Sequence, residues 1–110
     1  MLEIKKSFDE FVKTVKDSQT AIEYEKQKEI INSNPELKKR IDDFRKQNYS
    51  LQTATDEDIL FDELDRFERE YAEFRKLPQV NHFLAAELAY CRMIQEIEDA
   101  MAIAFAKDFE

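Results

Sequence analysis

Residues 78–106 read PQVNHFLAAELAYCRMIQEIEDAMAIAFA, and this stretch decides the fold of the chain. It opens with a proline and contains no glycine and no second proline, so it predicts one unbroken helix roughly 40 Å long. From Val80 to Ala106, 19 of the 27 residues are apolar. The polar face of this helix is only about 140° wide, so it needs cover on two sides, and we infer that a second subunit supplies part of it. That polar face consists of Asn81, His82, Arg92, Gln95, Glu96 and Asp99.

The composition predicts an all-α protein. The 110 residues include no glycine and only two prolines, whereas β-hairpins depend on tight turns that glycine favours. Nine phenylalanines and four tyrosines can build a core although 38% of the residues are charged. We therefore expect a single domain over residues 1–110, a small bundle of four to five helices in which long helices pack antiparallel.

Cysteine usage and hydropathy point to the cytoplasm. Cys91 is the only cysteine, so the chain cannot form an internal disulfide. The start of the chain, MLEIKKSFDEF, lacks the apolar core of a signal peptide. The longest apolar run, residues 100–106, is far too short to span a bilayer. We expect a cytoplasmic protein without membrane insertion.

The charge of the chain argues against direct nucleic-acid binding. The net charge is −8, and residues 51–110 carry 15 acidic but only six basic side chains. An acidic surface repels phosphate backbones. A basic run in the first half keeps open the alternative of an RNA-binding accessory factor, although we favour its interpretation as a solvated helix face. The run consists of Lys38, Lys39, Arg40, Arg45 and Lys46.

The first thirty residues show two amphipathic segments. An apolar seam of 4-3-4 spacing predicts a helix over about residues 2–16. The seam consists of Ile4, Phe8, Phe11 and Val15. The sequence from Thr20 to Glu23 has the form of a capping box and predicts a second helix from about residue 20, although one bent helix through 17–20 also fits.

Asn34 and Pro35 predict the next helix start. The residue before a proline avoids the helical region, and Ser33 or Asn34 can cap the helix that follows. One member of its 4-3-4-3 seam is polar. Asn48 either is buried and fixes the register of a partner or lies in water near the helix end, and we favour the second interpretation. The apolar members are Leu37, Ile41, Phe44 and Leu51.

A further break is predicted at residues 52–57, because the apolar seam shifts phase there and Thr55 can cap the next helix. The helix over residues 57–76 has an apolar heptad face and a charged back. The face consists of Leu60, Leu64, Phe67, Tyr71 and Phe74. We expect this face and that of residues 4–15 to cover one side of the final helix, which starts after Leu77.

No catalytic, cofactor-binding or metal-binding site can be assigned from the sequence. The chain has one histidine, His82, and one cysteine, Cys91, too few for zinc or for a helical di-iron site. Cys91 has no neighbouring base and is interpreted as a core residue. Glu87 and Glu98 share a helix face but lie about 16 Å apart, too far to act on one bond. We expect each to pair with a basic side chain of a neighbouring chain at the edge of a helix seam.

The excess apolar surface of the final helix predicts an oligomer interface. One side of the helix can be covered by its own chain, and the other side would leave a larger apolar patch than monomers usually expose. The expected interface residues are Leu84, Leu88, Cys91, Ile94, Met101 and Phe105. Two-fold pairing would bring this helix of two copies into contact. The sequence leaves homo- and hetero-oligomer open.

Two motifs resemble those of the YlbF/YmcA family of bacterial regulators. Residues 34–47, NPELKKRIDDFRKQ, are similar to a family helix start of the form D/N-P-E-L-K-x-x-I-x-x-F-R. Residues 77–87, LPQVNHFLAAE, are similar to its last-helix start, N-P-x-V-x-x-Y/F-L-x-A-E. The order and spacing of the motifs agree over roughly residues 15–105. Leu77 departs from the pattern, because family members usually carry a polar residue before this proline.

The resemblance implies an α-helical subunit that intertwines with a second copy as a dimer. It also implies a non-enzymatic role in regulating sporulation, competence and biofilm development. The implied partners are a second copy, paralogous family members and, through their complex, the membrane-anchored endoribonuclease RNase Y. Some members hold an iron–sulfur cluster through several cysteines near the C-terminus. Because this chain has Cys91 alone, no cofactor is carried over to it.

Overall fold

The computed structural model describes residues 2–53 and 57–110 and shows an all-α protein. Five helices follow one another in the chain, and no strand occurs within those two ranges. Short 3-10 turns, Leu2–Ile4 and Lys107–Phe109, flank them. The helices are α1 (Lys5–Lys16), α2 (Gln19–Asn32), α3 (Pro35–Thr53), α4 (Glu57–Arg75) and α5 (Pro78–Ala106). The predicted fold class and the unbroken final helix are confirmed.

The chain divides into two compact units. Unit 1 contains the residues up to Gln27 together with Leu84–Glu110, and unit 2 is Lys28–Phe83. Unit 1 therefore holds α1, the first half of α2 and most of α5, whereas unit 2 holds α3 and α4. The single domain expected over residues 1–110 stays a prediction.

The first break separates two helices rather than bending one. α1 ends at Lys16 and α2 begins at Gln19. The predicted cap at Thr20 is wrong, because Ser18 caps the helix: its Oγ accepts a hydrogen bond from the backbone N–H of Ala21 at 3.2 Å. The same hydroxyl donates to the carbonyl of Val15 at 2.6 Å. A serine two residues earlier satisfies an orphan N–H of the first turn, so the capping box is not needed.

The start of α3 follows the prediction. Asn34 Oδ1 accepts a hydrogen bond from the N–H of Leu37 at 3.2 Å, and Pro35 occupies the first helical position. Asn48 is exposed, so its interpretation as a wet residue is confirmed. The predicted cap at Thr55 lies outside the described residues.

Unit 2 has an aromatic core between α3 and α4. Phe67 and Phe74 are buried, with 5% and 3% of their surface exposed. Phe44 of α3 stacks on Phe74 with ring centroids 4.7 Å apart and planes 15° apart. It also meets Phe67 and Tyr71 at 5.7 Å in tilted geometry. Offset and tilted aromatic pairs of this kind add to the free energy of burial, so the predicted apolar face of α4 is confirmed at both phenylalanines.

In unit 1, α2 and α5 contact each other. Tyr24 and Tyr90 lie with ring centroids 5.4 Å apart, and Ser18 Oγ lies 3.8 Å from the sulfur of Met93. Gln27 is buried although it is polar, and its amide donates to the Glu23 carboxylate at 2.9 Å. The sequence pattern missed this glutamine, because it follows the apolar residues only.

The expectation that the apolar face of α1 is buried in its own chain is wrong. No side chain of α1 is buried. Ile4 is 60% exposed, and Phe8 and Phe11 are 46% and 45% exposed. The 4-3-4 spacing located the helix and its apolar face, but the spacing carries no information about which chain covers that face.

We expect the substitution Phe67→Ala to lower the free energy of unfolding by about 3–5 kcal/mol, because it opens a cavity in the aromatic core of unit 2. Urea unfolding at one fixed protein concentration would measure this. The exposed neighbour Glu68 provides a matched control, since Glu68→Ala should change stability by less than about 0.5 kcal/mol. A loss below about 1 kcal/mol for Phe67→Ala would contradict the assignment of this face.

Candidate protein-interaction surface

α5 changes character along its length. Its first turns are buried at Val80, Phe83 and Ala86, with 0%, 6% and 8% of their surface exposed. From there to Ile97, buried residues give way to half-buried ones, and from Glu98 to the end of the helix every residue is exposed. The C-terminal part of α5 is therefore exposed to solvent although its sequence is still mostly apolar.

The six predicted interface residues differ in exposure. Leu84 and Ile94 are half-buried, and Cys91 is exposed. Leu88, Met101 and Phe105 expose 51%, 51% and 57% of their surface. Cys91 is therefore not the core residue that the sequence predicted.

Helical spacing sorts these six residues into two stripes instead of one face. Leu84, Leu88 and Cys91 follow each other at intervals of four and three residues and form one stripe. Ile94, Met101 and Phe105 follow at intervals of seven and four and form a second stripe, about a quarter turn away. By the same spacing the second stripe continues the line through Phe83, which is buried. Met101 and Phe105 therefore lie on the same face of α5 as Phe83, and this face is buried at the start of the helix and exposed at its end.

α1 adds an apolar surface to the same unit that sequence reasoning did not assign to an interface. We call Ile4, Phe8 and Phe11, together with the half-buried Val12 and Val15, the α1 stripe. The signal was present in the sequence as a clean amphipathic pattern near the N-terminus. It was interpreted as intrachain core because amphipathic helices usually cover their own chain.

The two glutamates singled out from the sequence differ in exposure. Glu87 is half-buried, and Glu98 is exposed. Glu98 lies at the edge of the second stripe by helical spacing, three residues before Met101. The basic partners expected for these glutamates stay a prediction.

All five residues of the basic run on α3 are exposed, and two of them also contact aromatic rings. The guanidinium carbon of Arg40 lies 4.6 Å from the centroid of the Phe74 ring, and that of Arg45 lies 5.7 Å from the Phe83 ring. These distances are typical of cation–π contacts. Lys38, Lys39 and Lys46 are exposed.

The described part of the chain shows no cluster of catalytic or metal-binding type. His82 and Cys91 are both exposed. No three histidine, cysteine, aspartate or glutamate side chains in residues 2–53 and 57–110 come together as a metal site would require. None of the helices in these ranges has both the length and the apolar character needed to cross a bilayer.

Comparison with known proteins gives one match. The family model described as control of competence regulator ComK, YlbF/YmcA, matches residues 4–104. Neither the curated proteins nor the solved structures contain a match to the chain. The matched range takes in the α1 stripe, both motifs and nearly all of α5, and the family is a regulatory one. The chain therefore belongs to the YlbF/YmcA family.

Proposed function

We propose that this chain is a non-enzymatic regulatory or adaptor protein that acts through protein–protein contacts and works as a dimer. The observation that carries the proposal is the apolar surface of α5 that its own chain leaves exposed. Leu88, Met101 and Phe105 each expose about half of their surface, and Cys91 is exposed beside Leu88 by helical spacing. An apolar surface of this kind marks a site of interaction with another protein.

Area arguments support a second copy as the partner on α5. Each Å² of apolar surface removed from water contributes on the order of 25 cal/mol before the cost of association. In a two-fold symmetric pair the same residues are buried twice, once from each chain, so a modest stripe gives a substantial interface. Family membership supports the dimer further, since intertwined dimers are what the family resemblance implies.

Family membership suggests which processes the chain regulates. We propose that the chain regulates sporulation, competence or biofilm development, and that it does so with paralogous subunits through RNase Y-dependent processing of messenger RNA. The matched family is described by its control of a competence regulator, which fits this role. The proposal places the protein in the cytoplasm and assigns it no cofactor.

An RNA-binding accessory factor is the alternative. Three exposed lysines of α3, Lys38, Lys39 and Lys46, favour it. The net charge of −8 and the packing of Arg40 and Arg45 over aromatic rings weigh against it. We therefore rank direct RNA binding below protein contact.

Substitution of the exposed surface of α5 should break the dimer. Leu88→Glu should yield monomer or aggregate, because it places a charge in an interface without a partner. Glu96→Lys, on the polar face of the same helix, should leave the dimer intact. Sedimentation velocity at micromolar concentration would show both results, and circular dichroism would show that the helices persist.

The variant Ile94→Glu should also dissociate the dimer, but Ile94 is half-buried, so this change also tests the fold of its own chain. Leu88→Glu is the cleaner probe for that reason. A wild-type chain that sediments as a folded monomer at micromolar concentration would contradict the dimer.

Charge reversal at Lys38, Lys39 and Lys46 separates the two functions. These lysines are chosen because reversing Arg40 or Arg45 would also remove cation–π contacts within unit 2. We expect the wild type and the triple glutamate variant to show the same weak retention of single-stranded RNA at about 0.15 M salt. An affinity for RNA that falls with salt and disappears in the triple variant would favour the alternative.

A further inference from the structure

We infer that the α1 stripe of one chain packs against the C-terminal part of α5, residues 98–106, of a second copy. The inference deepens the proposed dimer and rests on it. It places α1 in the interface, in contact with residues 98–106 of the second copy.

The first ground is the state of α1. This helix has an apolar stripe and no buried side chain. Phe8 and Phe11 keep nearly half of their surface exposed, and Ile4 keeps 60%. In a folded domain, an apolar helix face packs against a second layer of secondary structure. The α1 stripe is too exposed to be covered fully by such a layer of its own chain.

The second ground is the state of the last turns of α5. Every residue from Glu98 to Ala106 is exposed. Among them Met101, Ile103 and Phe105 expose 51%, 76% and 57% of their surface. Along the helix face that contains Met101 and Phe105, Phe83 is buried and Ile94 is half-buried. The exposed part of this face therefore begins where packing against its own chain ends.

The two open surfaces have complementary charge. α1 carries four lysines against Asp9 and Glu10, whereas residues 98–106 carry Glu98 and Asp99 and no basic side chain. Opposite charges at the edges of an apolar contact favour the correct pairing and disfavour the pairing of like helices. Two copies of α1 facing each other would lack this complementarity.

Helical spacing selects one pair of charges at the edge of the contact. Lys5 and Lys16 flank the α1 stripe on one side, because Lys5 follows Ile4 directly and Lys16 comes four residues after Val12. Lys5 already forms an ion pair with Asp9, with Nζ and Oδ2 2.9 Å apart. Lys16 forms none with any residue of the described ranges. Since Glu98 flanks the second stripe of α5, we pair Lys16 with Glu98 of the second copy.

The area is sufficient for a specific contact. Phenylalanine side chains bury roughly 200 Å² each, so the open parts of Phe8, Phe11 and Phe105 amount to about 300 Å². With Ile4 and Met101 the total is on the order of 500 Å² per chain. A symmetric dimer buries this surface from both chains, which approaches the roughly 1,000 Å² that a specific interface needs.

An anionic membrane is the other surface that an amphipathic, lysine-bearing helix can meet. The charges favour a second copy, because the chain as a whole carries −8 and α1 itself contains Asp9 and Glu10. Membrane binding is therefore kept as an outcome of the test.

Isotope-mixed cross-linking tests whether the contact joins two chains. Light and ¹⁵N-labelled full-length protein are mixed in equal amounts, unfolded in urea and refolded together. A carbodiimide then joins Lys16 Nζ to the Glu98 carboxylate as an amide with loss of water, and mass spectrometry identifies the joined peptides. About half of the Lys16–Glu98 products should combine one light and one heavy peptide, as a symmetric dimer requires.

Matched variants control the chemistry. Lys16→Gln should remove this product, whereas Lys6→Gln, on the polar side of α1, should leave it. Products of a single isotope only would show that α1 lies on α5 of its own chain and would overturn the inference. A wild-type protein that is a dimer in sedimentation but gives no Lys16–Glu98 product would overturn it as well.

Dimer affinity provides a second, independent readout. Phe8→Glu should weaken the dimer at least tenfold, and Lys16→Glu should weaken it several-fold unless Glu98→Lys is present in the same chain, which restores the pair. If Leu88→Glu dissociates the dimer and Phe8→Glu does not, the proposed dimer stands and the role of α1 is wrong. If the wild type is a monomer, the proposed dimer itself fails.

Vesicles of phosphatidylserine and phosphatidylcholine provide the last arm of the test. We expect no sedimentation of the wild type with them. Sedimentation that is lost in Phe8→Glu while the dimer persists would identify the membrane as the surface that covers α1 and would overturn the inference.

Discussion

The uncovered apolar surface of α5 is the constraint on which the rest of unit 1 depends. This helix runs through 29 residues without a break, because no glycine or internal proline interrupts it. Its apolar circumference is wider than the single stripe that neighbouring helices of one chain bury. α2 covers part of it through the contacts of Tyr90 and Met93, and the remainder is exposed to water at a cost in free energy. This exposed remainder is the surface that we propose a second copy covers.

Unit 2 shows what a completed core looks like in the same chain. Phe44, Phe67 and Phe74 contact one another across α3 and α4, and Arg40 covers one ring with its guanidinium. Each of these groups finds its partners between residues 28 and 83. Both units also leave aromatic side chains exposed, Tyr49 and Phe61 in unit 2 and Phe105 in unit 1 among them. What distinguishes unit 1 is that its exposed apolar residues follow one another at helical spacing along α1 and α5.

The helices and their breaks could be predicted because proline, capping side chains and apolar spacing act locally. Pro35 and Pro78 begin helices as expected, and Asn34 caps α3. The cap of α2 was misassigned to Thr20 because a serine and a threonine compete over three residues, and only the backbone path shows which oxygen reaches an open N–H. Gln27 escaped prediction for a different reason: a buried amide is tolerated when Glu23 accepts its hydrogen bond, and that pairing is invisible to apolar periodicity.

The sequence could not show whether an apolar stripe belongs to a core or to an interface, because an interface between identical subunits has the sequence pattern of a core. Periodicity identifies an apolar stripe but does not say which chain covers it, and so the α1 stripe was assigned to its own chain.

The same ambiguity has a functional consequence. Apolar stripes provide affinity without selectivity, whereas flanking charges such as Lys16 and Glu98 decide between partners of similar shape. A paralogous subunit with the same stripes and other charges would compete for the same surface. A protein of this design can regulate by exchanging partners, and it needs no catalytic residue to do so.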